Sequence, residues 1–262
     1  DTLHEAGYVL LILCSTDSKE REVELLEVLR KRRVDGLILA SSSERDADIL
    51  EACERLDLPI LLLDRAYPDD RDAVLVDHES GIREAMDHLL SLGHRRIGMV
   101  TGRPTVRPSR VRIDGYRAKL SEAGIGFDPN LVRMGGFDIN SAFFEASALL
   151  SLRDRPTALI AGGIDMLGGV IRAIRAARLS VPKDISLIGS ADTELSLFST
   201  PPTNVICHDA AEQGRLSAQL ILNRLTGRST SEPHKLILSS QYVMRGSCGP
   251  PGGVMSNVDM CQ

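Results

Sequence analysis

The stretch LLSLGHRRIGMV, residues 89–100, joins an apolar helix end to an apolar strand. Gly93 can adopt the left-handed conformation that ends a helix without steric cost. His94, Arg95 and Arg96 follow it, near the carbonyl end of that helix, where positive charge is favoured. A phosphate would instead be held by the free amide groups of a helix N-terminus. We therefore interpret these basic residues as a structural helix-to-strand junction rather than a catalytic or phosphate-binding cluster.

Short apolar runs alternate with amphipathic segments on the N-terminal side of this junction. The runs are typical of strands buried on both faces, and the segments between them carry apolar residues at helical spacing. The predicted strands are 8–13, 35–40, 59–64 and 95–100, and the predicted helices are 18–33, 44–56 and 77–92. This alternation predicts an α/β unit with a parallel sheet.

A second series of the same kind follows the junction. Its predicted helices are 109–125, 139–151 and 165–179, and its predicted strands are 131–134, 157–161 and 185–189. The sequence then predicts a last helix, 209–227, with Asp209 and Glu212 as a capping box, and two short strands, 235–238 and 241–244. The Gly- and Pro-rich residues 248–262 predict a disordered tail.

The composition excludes several classes of protein. Of the 262 residues, 43% are hydrophobic and 26% charged, which is typical of a soluble globular chain. The net charge of -5 argues against a nucleic-acid surface within these residues, and no apolar run is long enough to cross a membrane. The five cysteines are odd in number and form no CxxC pair, so we expect no metal site, no disulfide framework and a cytoplasmic location.

Seven segments resemble, in order and spacing, the sensor domain of LacI-family transcription regulators. They are RRVDGLILASSS, LPILLLDRAYP, VLVDHESGIREAMDHLLSLGHRRIGMVTG, RIDGYRAKLSEAGI, RPTALIAGG, VPKDISLIGSAD and TPPTNVICHDAAEQGRLSAQLIL. The resemblance implies a two-lobed core like that of periplasmic binding proteins, each lobe a parallel sheet flanked by helices. The expected lobes are 1–101 plus 207–233 and 102–206 plus 234–247.

The resemblance also implies a mechanism that needs no covalent chemistry and no cofactor. A small-molecule effector, a sugar or a small anionic metabolite, would bind between the lobes and shift a homodimer toward or away from its DNA-binding state. Operator DNA would be contacted by an N-terminal helix-turn-helix outside this chain. Residues 1–13 predict the last turns of a helix, a stop at Gly7 and a strand, so we expect the family's first strand to be missing as well.

Eight residues are candidates for effector contact, because ligands of open α/β sheets bind beyond the carboxyl ends of the strands. Asp64 and Arg112 match family positions that commonly contact the effector, and His208 aligns with a polar position where the chain crosses between lobes. Phe137 matches an aromatic position, with a core role as the alternative interpretation, and Asp165 is either an acceptor or a helix cap. The remaining candidates are Ser41, Arg65 and Asp192.

The sequence departs from the family at the predicted pocket. Gly163 and Ile164 stand where family members commonly have Asn-Asp, and Ala191 replaces the first aspartate of a Gly-aromatic-Asp-Asp segment. A pocket that loses acceptors favours a less hydroxylated or an anionic effector, because a buried hydroxyl without a partner is costly.

Two other classes of function are weighed against the regulator. A solute-binding receptor of a sugar transport system would share the fold and the cleft, but the LGHRRIG and TPPTNV segments favour the regulator. An enzyme is not expected, because the sequence has no nucleophile elbow, P-loop or HExxH motif.

Overall fold

The computed structural model describes residues 1–68, 71–228 and 232–252. Its helices are α1 (Thr2–Glu5), α2 (Lys19–Arg32), α3 (Ala47–Glu54), α4 (His78–Ser91), α5 (Arg107–Glu122), α6 (Ile139–Leu150), α7 (Met166–Ala176), α8 (Glu194–Phe198) and α9 (Ala210–Leu225). Its strands are β1 (Leu37–Leu39), β2 (Ile60–Leu63), β3 (Asp72–Val76), β4 (Ile97–Gly102), β5 (Val132–Gly135), β6 (Ala158–Ala161), β7 (Ser186–Gly189), β8 (Asn204–Cys207), β9 (Lys235–Leu238) and β10 (Gln241–Val243).

The chain folds into two compact units, each assembled from separate stretches of sequence. Within the described residues, unit 1 comprises 1–68, 71–78, 104–111, 208–228 and 232–240, and unit 2 comprises 79–103, 112–207 and 241–252. These boundaries differ from the expected lobes chiefly because 79–101 lies in unit 2. The reason is packing: Ile82 and Met86 of α4 share an apolar core with Ile97 of β4.

Unit 1 is built on a parallel sheet with the strand order β1-β2-β3-β9. Asp46 starts α3 by accepting hydrogen bonds from the amides of Asp48 and Ile49, and Asp209 starts α9 by accepting one from Glu212. Strand β3, a fully buried DAVLV run that leads directly into α4, was not among the predicted strands. The α/β class with parallel sheets flanked by helices is confirmed.

The predicted strand 8–13 is wrong. These residues form neither helix nor strand, and Val9 and Ile12 are 94% and 81% exposed. An apolar run predicts a strand only if a neighbouring strand can bind its backbone amide and carbonyl groups. Within 1–68, 71–228 and 232–252 no strand pairs with this run, so its side chains have no sheet to cover.

Unit 2 is built on a six-stranded sheet with the order β10-β8-β7-β6-β4-β5, in which β10 runs antiparallel to β8. One face of this sheet packs on α4 and α5 through side chains such as Tyr116, and the other packs on α6 and α7 through Leu149 and Val170. In the sheet, β5 lies on one side of β4, while β6 and β7 lie on the other. The strand order therefore reverses between β4 and β6.

The helix-to-strand junction at 89–100 is structural, as predicted, and the buried side chain of His94 adds to it. Gly93 has a φ of +95° and ends α4, and His94 is fully buried. Its Nδ1 lies 2.7 Å from the Thr157 hydroxyl, and its Nε2 lies 2.9 Å from the Gly249 carbonyl. His94 thus fixes the start of the expected 248–262 tail, whose residues 253–262 lie outside the described part of the chain.

Candidate functional site

Three predicted contact residues meet at the carboxyl edge of the sheet in unit 1. Arg65 donates from Nε to the Ser41 carbonyl at 2.6 Å and from Nη1 to the Asp64 carbonyl at 3.0 Å. Ser41 is fully buried and donates its hydroxyl to the Ser43 carbonyl at 2.9 Å. The ends of β1 and β2 therefore bring Ser41, Asp64 and Arg65 together, as the edge rule for parallel sheets predicts.

Asp64 is held in place by neighbours on three sides. Its backbone is left-handed, with a φ of +52°, and its Oδ2 lies 2.7 Å from Nε2 of His78. Its Oδ1 accepts a hydrogen bond from the Val76 amide at 3.2 Å and lies 3.5 Å from the Arg107 guanidinium. This carboxylate is oriented and its charge is balanced before any ligand arrives.

Arg65 is the cation of this edge that lacks an ion pair. Its guanidinium is half-buried, and burial lowers the pKa of Arg65 although the negative charges of Asp64, Glu44 and Glu22 oppose that change. Among the residues placed by the structure it donates only to carbonyl oxygens and forms no salt bridge. A ligand oxygen, neutral or anionic, would meet a guanidinium that is engaged directly only with carbonyl oxygens.

His208 joins the same edge through an aromatic contact. Its ring lies edge-on to that of His78, with 6.4 Å between the centroids, and its Nε2 is 3.0 Å from the Gln213 side-chain oxygen. All four predicted residues of unit 1 therefore lie in one connected set.

Sequence reasoning missed Glu44 and His78. Glu44 is fully buried, accepts from the Ala66 amide at 3.1 Å and the Arg107 amide at 2.7 Å, and pairs with Arg110. His78 directly follows Asp77 at the end of β3, so recognising that strand would have marked it by the edge rule. No local signal identifies Glu44, because its partners come from distant stretches of the chain.

Phe137 lies at the carboxyl edge of the sheet in unit 2, where the strand order reverses. A Cβ on Gly102, the last residue of β4, would come within 2.0 Å of the ring, and one on Gly163, just after β6, within 3.0 Å. The ring therefore rests on two stretches of bare backbone. Phe137 also packs against the α6–α7 core, so the contact and core interpretations both fit its position.

The polar side chains at the edge of unit 2 differ in burial and in whether they already have a protein partner. Both oxygens of Asp192 lie 2.7 Å from Nη2 of Arg245, so Asp192 is already paired. Asp165 is exposed at the N-cap position of α7, but its side chain makes no cap hydrogen bond. Arg112 is buried, with 8% of its surface exposed. The hydroxyls of Thr101 and Ser190 are buried and have no hydrogen-bond partner among the placed residues.

The described residues contain no group of three or more His, Cys, Asp or Glu side chains arranged to hold a metal ion. Across the ranges that are placed, no helix is both long and apolar enough to cross a bilayer. What the two edges offer chemically is noncovalent recognition by a guanidinium, an aromatic ring and a carboxylate.

Comparison with known proteins identifies the family. Residues 86–248 match the periplasmic binding protein-like domain. The chain is 36% identical over 247 residues to the ribose operon repressor of Escherichia coli K12, covering 93% of this chain and 74% of that protein. It is 32% identical over 255 residues to the regulator DegA of Bacillus subtilis 168, covering 94% of this chain and 73% of that protein.

Solved structures of similar fold include ligand complexes. The transcriptional regulator CelR–cellobiose complex gives a TM-score of 0.83 at 28% identity, over 94% of this chain and 75% of that one. A LacI family regulator from Enterococcus faecium with bound ribose gives 0.81 at 27% identity, over 95% and 90%. The chain therefore belongs to the LacI family of transcription regulators, as a sensing core of that family and not as a transport receptor.

Proposed function

We propose that this chain binds a small-molecule effector at the carboxyl edges of its sheets and thereby changes the affinity of its regulator for operator DNA. The observation that carries the proposal is Arg65, a half-buried cation without an ion pair, fixed beside the oriented carboxylate of Asp64. Cellobiose and ribose are bound by the similar regulators named above. A sugar or a small anionic metabolite fits a donor of this kind.

The eight predicted contacts divide by role in this proposal. Direct contact is assigned to Arg65, Phe137 and Asp165, which keep free surface or free hydrogen-bonding capacity. Residues already engaged with protein partners, or buried among them, hold the edge in shape. These are Ser41, Asp64, Arg112, Asp192 and His208.

Regulation follows from linkage. An effector that binds one conformation more tightly shifts the equilibrium by its difference in affinity, and such couplings typically change DNA affinity about 5- to 150-fold. In this proposal a helix-turn-helix that is not among these residues reads operator DNA, and the regulator acts in the cytoplasm.

A homodimer is part of the proposal, and unit 2 offers a surface for it. Leu195, Leu197 and Phe198 of α8 are exposed, and a cavity of about 340 Å³ beside them is lined by Leu179 and Pro201 among others. Exposed apolar surface of this kind is typical of a protein interface.

The test is a thermal-shift panel on the regulator that contains this chain, with D-ribose, D-ribose 5-phosphate, cellobiose and adenine as probes. A probe at 100 times its Kd should add about 2.7 kcal/mol to the free energy of unfolding. Arg65→Gln should remove the shift, whereas Arg55→Gln, which changes an exposed arginine paired with Glu51, should keep it. A panel in which no probe raises the melting temperature would contradict the proposed function.

A further inference from the structure

Glu22 of α2 is a buried carboxylate without a cation of its own. Only 4% of its surface is exposed, and its Oε2 accepts hydrogen bonds from the Ser42 amide at 2.9 Å and the Ser42 hydroxyl at 2.5 Å. Its Oε1 is buried without a hydrogen-bond partner, and Glu22 forms no ion pair with any residue that the structure places. A buried carboxylate in this state is costly unless another charge balances it.

One peptide group joins Glu22 to Arg65. The Ser41 carbonyl accepts a hydrogen bond from Nε of Arg65 at 2.6 Å. The amide on the other side of the same peptide bond, that of Ser42, donates to Oε2 of Glu22. From these two hydrogen bonds and standard peptide dimensions, Nε and Oε2 are at most about 8 Å apart. The carbonyl end of the peptide dipole thus faces the guanidinium and its N–H end faces the carboxylate, which is the favourable orientation at both ends.

The other carboxylates near this guanidinium each have an arginine as ion-pair partner. These pairs are Asp64–Arg107 at 3.5 Å and Glu44–Arg110. Arg65 and Glu22 remain as a cation and a carboxylate without a direct ion pair among the placed residues, and the Ser41–Ser42 peptide is hydrogen-bonded to both. Burial lowers the pKa of Arg65, and the charge of Glu22 is among those that oppose this change.

We propose that Glu22 is the counter-charge of Arg65 and shifts the preference of this edge from anionic toward neutral ligand oxygens. A neutral hydroxyl or carbonyl can accept from Arg65 without disturbing the balance of charge, whereas an anionic group on Arg65 would lie about 10 Å from the buried Glu22 carboxylate. At that separation, and at the effective dielectric constant typical of protein sites, the repulsion weakens binding of the anion about tenfold. Glu22 is thus a positioning residue, which touches no ligand and acts through Arg65. This inference rests on the proposed function.

The charge link is tested first without a ligand, in a double-mutant cycle of Glu22→Gln and Arg65→Gln in the regulator that contains this chain. We expect Glu22→Gln to lower the urea midpoint more when Arg65 is present than in Arg65→Gln, where the lost carboxylate no longer balances a cation. Glu24→Gln, the same change at an exposed glutamate of α2, should shift the midpoint equally in both backgrounds. Equal shifts for Glu22→Gln overturn the inference. If Glu22→Gln does not fold, folding of the double variant supports the link and its failure to fold overturns it.

Calorimetric titration then compares D-ribose with D-ribose 5-phosphate, a neutral and an anionic probe built on the same sugar. Glu22→Gln should change the ratio of the two dissociation constants about tenfold in favour of the phosphate, whereas Glu24→Gln should leave the ratio within about twofold. An unchanged ratio in Glu22→Gln overturns the ligand preference, while D-ribose binding that depends on Arg65 leaves the proposed function standing. If neither probe binds any variant, the ligand preference falls, and the proposed function then depends on the other probes of the thermal-shift panel.

Discussion

The imidazole ring of His94 bridges Thr157, Ser186 and the Gly249 carbonyl, and burial lowers the pKa of this ring. In the unfolded chain the same group titrates near pH 6.5. The unfolded state therefore binds more protons just below that pH, so the contribution to stability is complete above about pH 6.5 and is lost as the pH falls toward the folded pKa.

The expected result is a free energy of unfolding that decreases by up to about 1.4 kcal/mol per pH unit below pH 6.5 on account of His94. His94→Gln should reduce this slope in urea titrations at pH 7.5 and 5.5, and His4→Gln, at an exposed histidine, should not. His88 contributes a dependence of the same sign, because burial lowers its pKa too. An unchanged slope in His94→Gln would contradict this account.

At the same scale, sequence reasoning found the site residues that follow recognisable strands. Asp64 and Arg65 come directly after β2, so the edge rule marked them. The contacts that surround these two residues could not be predicted from local sequence. Glu44, for example, accepts a hydrogen bond from the Arg107 amide, which is 63 residues away in the chain. The role of Asp192 also depended on a distant partner, Arg245, that no pattern near Asp192 indicates.

Among the helices, α6 and α7 approach so closely that a glycine is required between them. A Cβ on Gly169 would come within 2.3 Å of the Ile139 carbonyl and 2.7 Å of the Ala142 Cβ. In α9, by contrast, a Cβ on Gly214 would meet nothing within 4 Å. The same substitution is therefore expected to have opposite effects in the two helices.

Gly169→Ala should destabilise the protein by about 1–3 kcal/mol, because overpacking outweighs the gain in helix propensity. Gly214→Ala should stabilise it by up to about 1 kcal/mol, because propensity acts there alone. The denaturant midpoint of each variant, compared with that of the unmodified protein, shows whether the substitution lowers or raises the free energy of unfolding. A stabilising Gly169→Ala would show that α6 and α7 can separate at no cost.

The elements also show what an apolar pattern can and cannot predict. Buried runs such as residues 59–64 and 95–100 became β2 and β4, because neighbouring strands bind their backbones. The run 8–13 has an equally apolar sequence but remains unpaired and exposed. An apolar pattern indicates that a segment favours burial. Whether the segment forms a strand depends on whether another strand lies beside it to pair with its backbone.

For the whole molecule, the proposed homodimer can be tested at α8 and the adjoining cavity of unit 2. If α8 and the adjoining cavity form the proposed dimer surface, Phe198→Asp should convert the regulator to a monomer in sedimentation velocity. Phe144→Asp is the matched control, because Phe144 is also a highly exposed aromatic of unit 2, at 70% against 80% for Phe198. Loss of the dimer in both variants, or in neither, would argue against this surface.

Unit 1 takes its strands from both ends of the described chain, because Ala73 of β3 pairs with Lys235 of β9. A ribosome must therefore synthesise nearly the whole chain before this sheet can be completed. A nascent chain that ends before Lys235 lacks β9 and leaves one edge of β3 open, while most of the strands of unit 2 have already been synthesised. Translation thus imposes an order of assembly in which each sheet waits for a strand near the end of the described chain, β9 in unit 1 and β10 in unit 2.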